Sequence, residues 1–155
     1  MTRLCCNVLD ALRAKGMTLV TAESLTGGGI GAALTAVPGA SDVFKGGVIS
    51  YVDQIKEKVL LVSPEVLNHF GAVSSSTAAA MADGARKLLT ADIAVSVTGL
   101  AGPGGDNFGN PVGTVFIGFS SQNGSLVKEC HFIGSREEIR LQTISTALKF
   151  ILENV

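Results

Sequence analysis

The segment from residue 18 to residue 36 constrains the fold of this chain more than any other. A β-branched apolar run, Thr18–Thr21, leads through Ser24 to the three glycines Gly27–Gly29, and Ile30–Ala36 then has the composition of a helix. A strand that passes into a helix across a glycine-rich segment predicts an α/β protein. The first N–H groups of a helix have no partner within it and carry partial positive charge. A serine at this place can therefore bind an anion or act as a nucleophile.

Helices and strands alternate along the rest of the chain, without a linker or an internal repeat. Apolar residues at helical spacing precede the first strand, and Gly16 suits the end of that helix. The nearly continuous apolar run Ile93–Thr98 is typical of a strand buried on both faces. Asn123-Gly124 predicts a hairpin between two later strands, and Ser135–Glu138 is a capping box that opens the last helix.

This order of elements predicts a three-layer α/β/α sandwich with a mixed sheet, since helices must cover both faces and the hairpin adds an antiparallel pair. We expect residues 1–155 to form a single domain, because the length suits one domain and no boundary is visible. The predicted core contains Val20, Ile49, Ile93, Val95, Val97, Val115 and Ile117.

Composition excludes several classes of partner. Hydrophobic residues make up 46% of the chain, and 12 Lys and Arg stand against 13 Asp and Glu, so no basic excess favours nucleic acid. Cys5, Cys6 and Cys130 have neither metal-site spacing nor a disulfide pattern, which predicts a reduced, cytoplasmic setting and no metal. No apolar run approaches the roughly 20 residues of a membrane span, so we expect no membrane association.

Six segments, taken together, resemble one family. They are AESLTGG (22–28), GGVISYVDQIK (46–56), GAVS (71–74), VTGLAGPGG (97–105), PVGTV (111–115) and GSREEIR (134–140). This order is similar to the C-terminal-domain family of the competence/damage-inducible protein CinA, many of whose members are nicotinamide-nucleotide amidases. The resemblance extends over almost the whole chain and, at this length, implies the stand-alone form. It implies hydrolysis of the carboxamide of nicotinamide mononucleotide to nicotinate mononucleotide and ammonia, without a metal or another cofactor.

The resemblance also implies a set of catalytic residues. Ser24 matches the family's nucleophile, and Lys56 and Tyr51 match its general base and proton relay. A lysine can act as a base only if burial or a neighbouring charge lowers its pKa by several units. The apolar residues near Lys56 in the sequence are compatible with burial. Neither His69 nor His131 lies in a pattern that supports a Ser-His-Asp triad.

A second glycine-rich loop, Gly99–Gly105, follows the buried strand at the edge where α/β sheets bind ligands. Thr98 could donate a hydrogen bond to a substrate there. Arg136 and Arg140 lie one turn apart on the last helix, and a guanidinium matches phosphate geometry, but the sequence does not decide between them. Backbone N–H groups of residues 26–28 are expected to stabilise an oxyanion. The predicted substrate-binding residues are Thr26, Gly27, Gly28, Thr98, Gly102, Gly104, Gly105, Arg136 and Arg140.

Some residues depart from the family pattern. Leu25 stands where the family usually has Cys, and Tyr51-Val52-Asp53 replaces its Tyr-Ser-Asn. The run Asp106–Pro111 lacks the acidic residues and Lys that often follow the glycine loop in the family. The type of reaction is therefore better supported than the choice of substrate. Glu23 could orient the lysine or a ribose, or could be a surface carboxylate.

Two other functions stay open at this stage. One is a nucleotide-binding module without turnover, in which Ser24 only caps the helix. The other is an NAD-binding Rossmann domain, since Gly27-x-Gly29-x-x-Ala32 fits a relaxed fingerprint. No acidic residue ends a second parallel strand about 20 residues later, which counts against the Rossmann interpretation. In either case we expect a small nucleotide as the ligand and a homo-oligomer of undefined order.

Overall fold

A computed structural model describes residues 1–155. Five strands and six α-helices follow one another along the chain, with a short 3₁₀ turn at Ala40–Asp42. The strands are β1 (Leu19–Glu23), β2 (Phe44–Ile49), β3 (Ile93–Gly99), β4 (Thr114–Ser121) and β5 (Gly124–His131). The helices are α1 (Thr2–Lys15), α2 (Gly29–Thr35), α3 (Asp53–Lys58), α4 (Pro64–Phe70), α5 (Ser75–Leu88) and α6 (Arg136–Asn154). None of these helices combines the length and hydrophobicity needed to cross a membrane.

The five strands form one mixed sheet in the order β2-β1-β3-β4-β5. Strand β1 is parallel to both β2 and β3, whereas β4 pairs antiparallel with β3 and β5. The predicted hairpin is confirmed, since Ser121 ends β4 and pairs with Gly124 at the start of β5. Because β2, β1 and β3 run in the same direction, their carboxyl ends meet at one edge of the sheet.

Helices cover both faces of the sheet, which confirms the predicted three-layer arrangement. Alternate side chains of β1 and β3 point to opposite faces: Leu19 and Val95 pack with α1, α2 and α6, while Val20 and Ala94 pack with α4 and α5. Six of the seven predicted core residues are at most 2% exposed, namely Val20, Ile93, Val95, Val97, Val115 and Ile117.

The prediction for Ile49 is wrong. Its side chain is 56% exposed, because β2 is an edge strand and Ile49 ends it. Strand β2 runs through Gly46 and Gly47, and its pairing with β1 shifts register between Leu19 and Val20. A Cβ atom on Gly47 would overlap the Thr21 hydroxyl, so glycine here allows β1 and β2 to pair closely.

The ends of the helices follow from local sequence. Gly16 adopts a left-handed conformation with φ of 62° and ends α1, as glycine after a helix commonly does. The capping box is confirmed: the Ser135 hydroxyl accepts from the Glu138 N–H, and the Glu138 carboxylate accepts from the Ser135 N–H. Helix α6 therefore begins at a fixed place, which sets the position of Arg136 in its first turn.

Candidate active site

A cavity of about 430 Å³ lies at the sheet edge where the three parallel strands end. Each strand is followed by a segment that lines it: Ser24 follows β1, Tyr51 and Lys56 follow β2, and the glycine loop follows β3. In open α/β sheets, ligands bind outside the carboxyl ends of the strands where the strand order reverses. The lining residues are Ser24, Leu25, Tyr51, Asp53, Lys56, Ala72, Val73, Thr98, Gly99, Leu100, Ala101, Gly102, Pro103, Gly104, Gly105 and Arg136.

The central feature of the cavity is a direct contact between Lys56 and Ser24. The Lys56 Nζ lies 3.2 Å from the Ser24 Oγ, although the two residues are 32 positions apart in the chain. Backbone hydrogen bonds hold the segments together, since the Ser24 N–H donates to the Val97 carbonyl and the Ser50 N–H to the Glu23 carbonyl. The residues that the resemblance implied for nucleophile and base are thus within one hydrogen bond of each other.

Burial controls the protonation of Lys56. Only 1% of the side chain is exposed, and this desolvation lowers the pKa of the Lys56 amine below its ordinary value. The Asp53 carboxylate, 3.8 Å from Nζ, opposes this effect and raises the pKa. Nζ also lies 2.8 Å from the Ser50 carbonyl and 3.4 Å from the Tyr51 carbonyl. A neutral amine can donate its two hydrogens to these carbonyls and accept the Ser24 hydroxyl proton with its lone pair.

The amino end of α2 is filled by the chain's own Glu23. This carboxylate is 1% exposed and accepts from the Ile30 N–H at 3.0 Å, the Gly31 N–H at 2.8 Å and the Thr26 hydroxyl at 2.6 Å. Glu23 is therefore neither a surface group nor a partner of the lysine or a ribose, contrary to the alternatives considered from the sequence. Because these N–H groups are engaged, α2 cannot hold a pyrophosphate as a Rossmann helix does.

The backbone donors next to Ser24 differ from those predicted. The Gly27 N–H donates to the Ser24 carbonyl at 3.0 Å, so it is not free to stabilise an oxyanion. The N–H groups of Leu25, Thr26 and Gly28 have no acceptor within the chain. Of the residues from 25 to 28, only Leu25 lines the cavity. The free donors closest in sequence to the Ser24 hydroxyl are thus those of Leu25 and Thr26.

The two arginines have different surroundings. Arg136 lines the cavity and connects two of its walls, donating to the Gly102 carbonyl at 2.7 Å and to the Tyr51 hydroxyl at 3.0 Å. Arg140 lies outside the cavity and donates to the carbonyls of Leu25 and Thr26, each at 3.1 Å. Of the two candidates, only Arg136 can reach a ligand in this cavity, while Arg140 holds the segment that follows Ser24.

The loop after β3 presents free backbone donors to the cavity. The N–H groups of Ala101, Gly102, Gly104 and Gly105 have no acceptor within the chain, and all four residues line the cavity. Thr98 also lines it, but its hydroxyl donates to the Ala72 carbonyl at 2.7 Å. In this structure the Thr98 hydroxyl proton is therefore engaged with a backbone carbonyl, and the predicted donation to substrate requires that this bond breaks.

Sequence reasoning missed Asp53 as a residue of the cavity wall. Its spacing of three residues before Lys56 places both on one side of a helical turn, so the signal was present. The carbonyl of Ser50 was missed as well, and no side-chain pattern could have indicated it. The structure contains no group of three or more His, Cys, Asp or Glu residues arranged to hold a metal ion.

Together, the fold and the site define an α/β domain with a buried serine–lysine pair at the carboxyl edge of its parallel strands. The family model of the CinA C-terminal domain matches residues 1–155. The chain therefore belongs to the CinA C-terminal domain family.

Individual relatives agree with this assignment. The chain is 48% identical over 138 residues to a CinA-like protein of Prochlorococcus marinus, covering 89% of this chain and 32% of that protein. It is 50% identical over 113 residues to a CinA-like protein of Synechocystis, covering 73% of this chain and 27% of the relative. The chain thus spans about a third of the length of the curated relatives it matches.

Solved structures of the family have the same fold. The competence damage-inducible protein A of Klebsiella pneumoniae matches with a TM-score of 0.96 and 36% identity, over 99% of this chain and 95% of that chain. A CinA superfamily protein of Escherichia coli matches with a TM-score of 0.97 and 33% identity, over 99% of this chain and 90% of that chain.

Proposed function

We propose that this chain hydrolyses the carboxamide of nicotinamide mononucleotide to nicotinate mononucleotide and ammonia. The observation that carries the proposal is the 3.2 Å contact between the Ser24 hydroxyl and the buried Lys56 amine. Burial lowers the pKa of Lys56 and so favours the neutral form that a general base requires. The choice of the nucleotide and of its amide bond rests on the family resemblance, while this pair supports acyl transfer through a serine nucleophile.

In the first half of the reaction, neutral Lys56 accepts the Ser24 hydroxyl proton as Oγ attacks the amide carbon. The negative charge that develops on the amide oxygen is stabilised by the free N–H group of Leu25, the residue after Ser24 that lines the cavity. The tetrahedral intermediate then collapses, the carbon–nitrogen bond breaks, and the Lys56 ammonium returns its proton to the leaving amide nitrogen. Ammonia departs and an ester of Ser24 remains.

In the second half, water attacks the ester carbon while Lys56 accepts a proton from it. The carbon–oxygen bond to Ser24 breaks, Lys56 returns the proton to Oγ, and nicotinate mononucleotide leaves. The resemblance implies that Tyr51 relays the proton. In the structure, however, the Tyr51 hydroxyl contacts Arg136, and it is the Tyr51 backbone carbonyl that contacts Lys56. We therefore propose direct proton transfer between Lys56 and Ser24, with Tyr51 holding Arg136 at the cavity wall.

The phosphate is proposed to bind at the part of the cavity wall formed by Arg136 and the glycine loop. Arg136 supplies a guanidinium there, with N–H groups left over beyond its bonds to Gly102 and Tyr51. The free N–H groups of the loop 101–105 add neutral donors that suit anion oxygens. A cavity of about 430 Å³ lies within the range of small-molecule sites.

The direct test is ammonia release from nicotinamide mononucleotide by the purified protein, with formation of nicotinate mononucleotide measured by chromatography. Stoichiometric release of both products supports the proposal. Tight binding of the nucleotide without ammonia would instead favour the alternative, a nucleotide-binding module without turnover. Absence of both binding and ammonia would reject both functions.

Replacing the two arginines should separate binding from catalysis. For Arg136→Ala, we expect KM to rise about tenfold or more with a smaller change in kcat, since a charge-assisted phosphate contact is lost. For Arg140→Ala, we expect kcat to fall about 10²-fold with KM little changed, because the carbonyls of Leu25 and Thr26 lose their support and the oxyanion donor shifts. Steady-state kinetics measure both, and equal effects on KM from both variants would contradict the assignment.

Gly104 allows a test of ligand approach that is independent of folding. A Cβ atom there would meet nothing within 4 Å, so the free protein has room for Gly104→Ala. We expect an unchanged melting temperature but a several-fold higher KM, because the methyl group would stand between the loop N–H groups and the phosphate. Gly105→Ala is the contrasting variant, since its Cβ would lie 2.5 Å from the Asn110 carbonyl oxygen and should destabilise the fold. An unchanged KM for Gly104→Ala would exclude close approach of the ligand to this loop.

A further inference from the structure

Asp53 places an exposed negative charge on the wall of the cavity beside the reacting pair. It begins α3, its side chain is 57% exposed, and its carboxylate accepts no hydrogen bond from the chain. Its charged neighbour is Lys56, with Oδ1 3.8 Å from Nζ. The other charged group of the cavity wall is Arg136, whose guanidinium contacts Gly102 and Tyr51.

This arrangement creates an electrostatic imbalance during catalysis. Lys56 must be neutral to accept the Ser24 proton, and in that state the Asp53 carboxylate loses the countercharge beside it. A ligand that fills the cavity also displaces the water that solvates this carboxylate. Burying an unpaired charge is costly, so the cavity favours a ligand that brings a positive charge to this wall.

The position of the carboxylate indicates which part of a ligand it faces. Two short contacts connect Asp53 to the nucleophile: 3.8 Å to the Lys56 amine, and 3.2 Å from that amine to the Ser24 hydroxyl. When Ser24 attacks an amide carbon, the ring to which the amide is attached must therefore lie close to Asp53. In a pyridinium carboxamide, this ring carries the positive charge. The same positive charge also disfavours protonation of Lys56.

We propose that Asp53 is a specificity-determining residue that selects amides carried on a positively charged ring over amides on a neutral ring of similar shape. This inference rests on the proposed amidase function and refines its substrate class. Opposite charges separated by a few ångströms in a partly desolvated cavity interact strongly enough to discriminate between such ligands. The exposed Asp53 carboxylate thus selects the ring of the ligand, in addition to forming an ion pair with Lys56.

Nicotinamide mononucleotide and its reduced form provide a matched pair of ligands. Both have the same carboxamide, ribose and phosphate, but the dihydropyridine ring of the reduced form is neutral. Calorimetry with the Ser24→Ala protein gives the two dissociation constants without turnover. The measurement is made at a pH at which the wild-type rate no longer rises with pH. We expect the cationic ligand to bind about tenfold more tightly, and Asp53→Asn in the same background to bring the ratio close to one.

Glu57→Gln is the control, since it removes a carboxylate from the same helix but outside the cavity wall. In the Ser24→Ala background, we expect Glu57→Gln to leave the ratio of the two dissociation constants unchanged. A ratio that Asp53→Asn leaves unchanged, or equal weakening of both ligands, overturns the inference while ammonia release by the wild type still supports the amidase. If the wild type releases no ammonia and the Ser24→Ala protein binds neither ligand, the proposed function fails and this inference fails with it.

Discussion

The Ser24→Ala protein should release no detectable ammonia from nicotinamide mononucleotide, a loss of at least about 10³-fold in kcat. The hydroxyl oxygen forms the covalent bond to the substrate, and no other side chain lies within hydrogen-bond distance of Lys56 Nζ to replace it. Binding of the nucleotide should persist, because Arg136 and the glycine loop are unchanged. Ammonia assays and calorimetry on the same preparation measure the two quantities. Full activity of Ser24→Ala would reject the covalent mechanism.

Trapping with hydroxylamine tests the ester of Ser24 in the wild-type protein. If an acyl-enzyme forms, hydroxylamine should compete with water and yield a hydroxamate of the nucleotide, while ammonia release continues. Ser125→Ala is the matched control for loss of a serine hydroxyl, since Ser125 is exposed on β5 and lies outside the cavity. It should keep the ability to form hydroxamate, whereas Ser24→Ala should form none.

The layers and the sheet could be predicted from the sequence because their signals are local. Asn123-Gly124, the capping box at Ser135 and the terminal Gly16 each determine a turn or a helix end through bonds among neighbouring residues. The exposure of Ile49 was not predictable in this way. It depends on β2 being an edge strand, and strand order is a property of the whole sheet.

The nucleophile and base could be identified only through the family resemblance. Nothing local brings Ser24 to Lys56: their contact depends on the parallel pairing of β1 with β2, which aligns Glu23 with Ile49 and so brings the next residues together. Local sequence also could not separate the roles of Arg136 and Arg140. Both are one turn apart on α6, and only the packing of that helix decides that one faces the cavity and the other the backbone of residues 25 and 26.

At the amino end of α2, the sequence indicated the kind of ligand but not which group provides it. The sequence indicated that this helix end can bind an anion, but not that the anion is the carboxylate of Glu23 in the same chain. This internal bond fixes the segment between β1 and α2, from which Ser24 and the N–H groups of Leu25 and Thr26 project. A feature predicted as a ligand site thus serves to hold the nucleophile in place.

Replacing Lys56 by Met should lower kcat by about 10²–10⁴-fold at every pH, because the amine both accepts the Ser24 proton and returns it to the leaving nitrogen. In the wild type, kcat should rise with pH through the Lys56 pKa, which burial places below its ordinary value, and level off above it. Rate profiles against pH measure this rise, and the residual rate of Lys56→Met should not show it.

Tyr51→Phe should keep most of the rate and the same rise with pH. A loss of rate as large as that of Lys56→Met would instead mean that the Tyr51 hydroxyl relays the proton.

Lys56→Met should also change how the stability of the protein depends on pH. Since the Lys56 pKa is lower in the folded protein than in the unfolded chain, the unfolded chain binds more protons between these two values. The free energy of unfolding of the wild type should therefore rise with pH across that window. Lys56→Met should remove this dependence, because methionine has no group that titrates in this range. Lys58→Met, at an exposed position of the same helix, is the control and should keep the wild-type slope. Equal slopes for wild type and Lys56→Met would mean that Lys56 is not the group that titrates, and the base would have to be sought elsewhere.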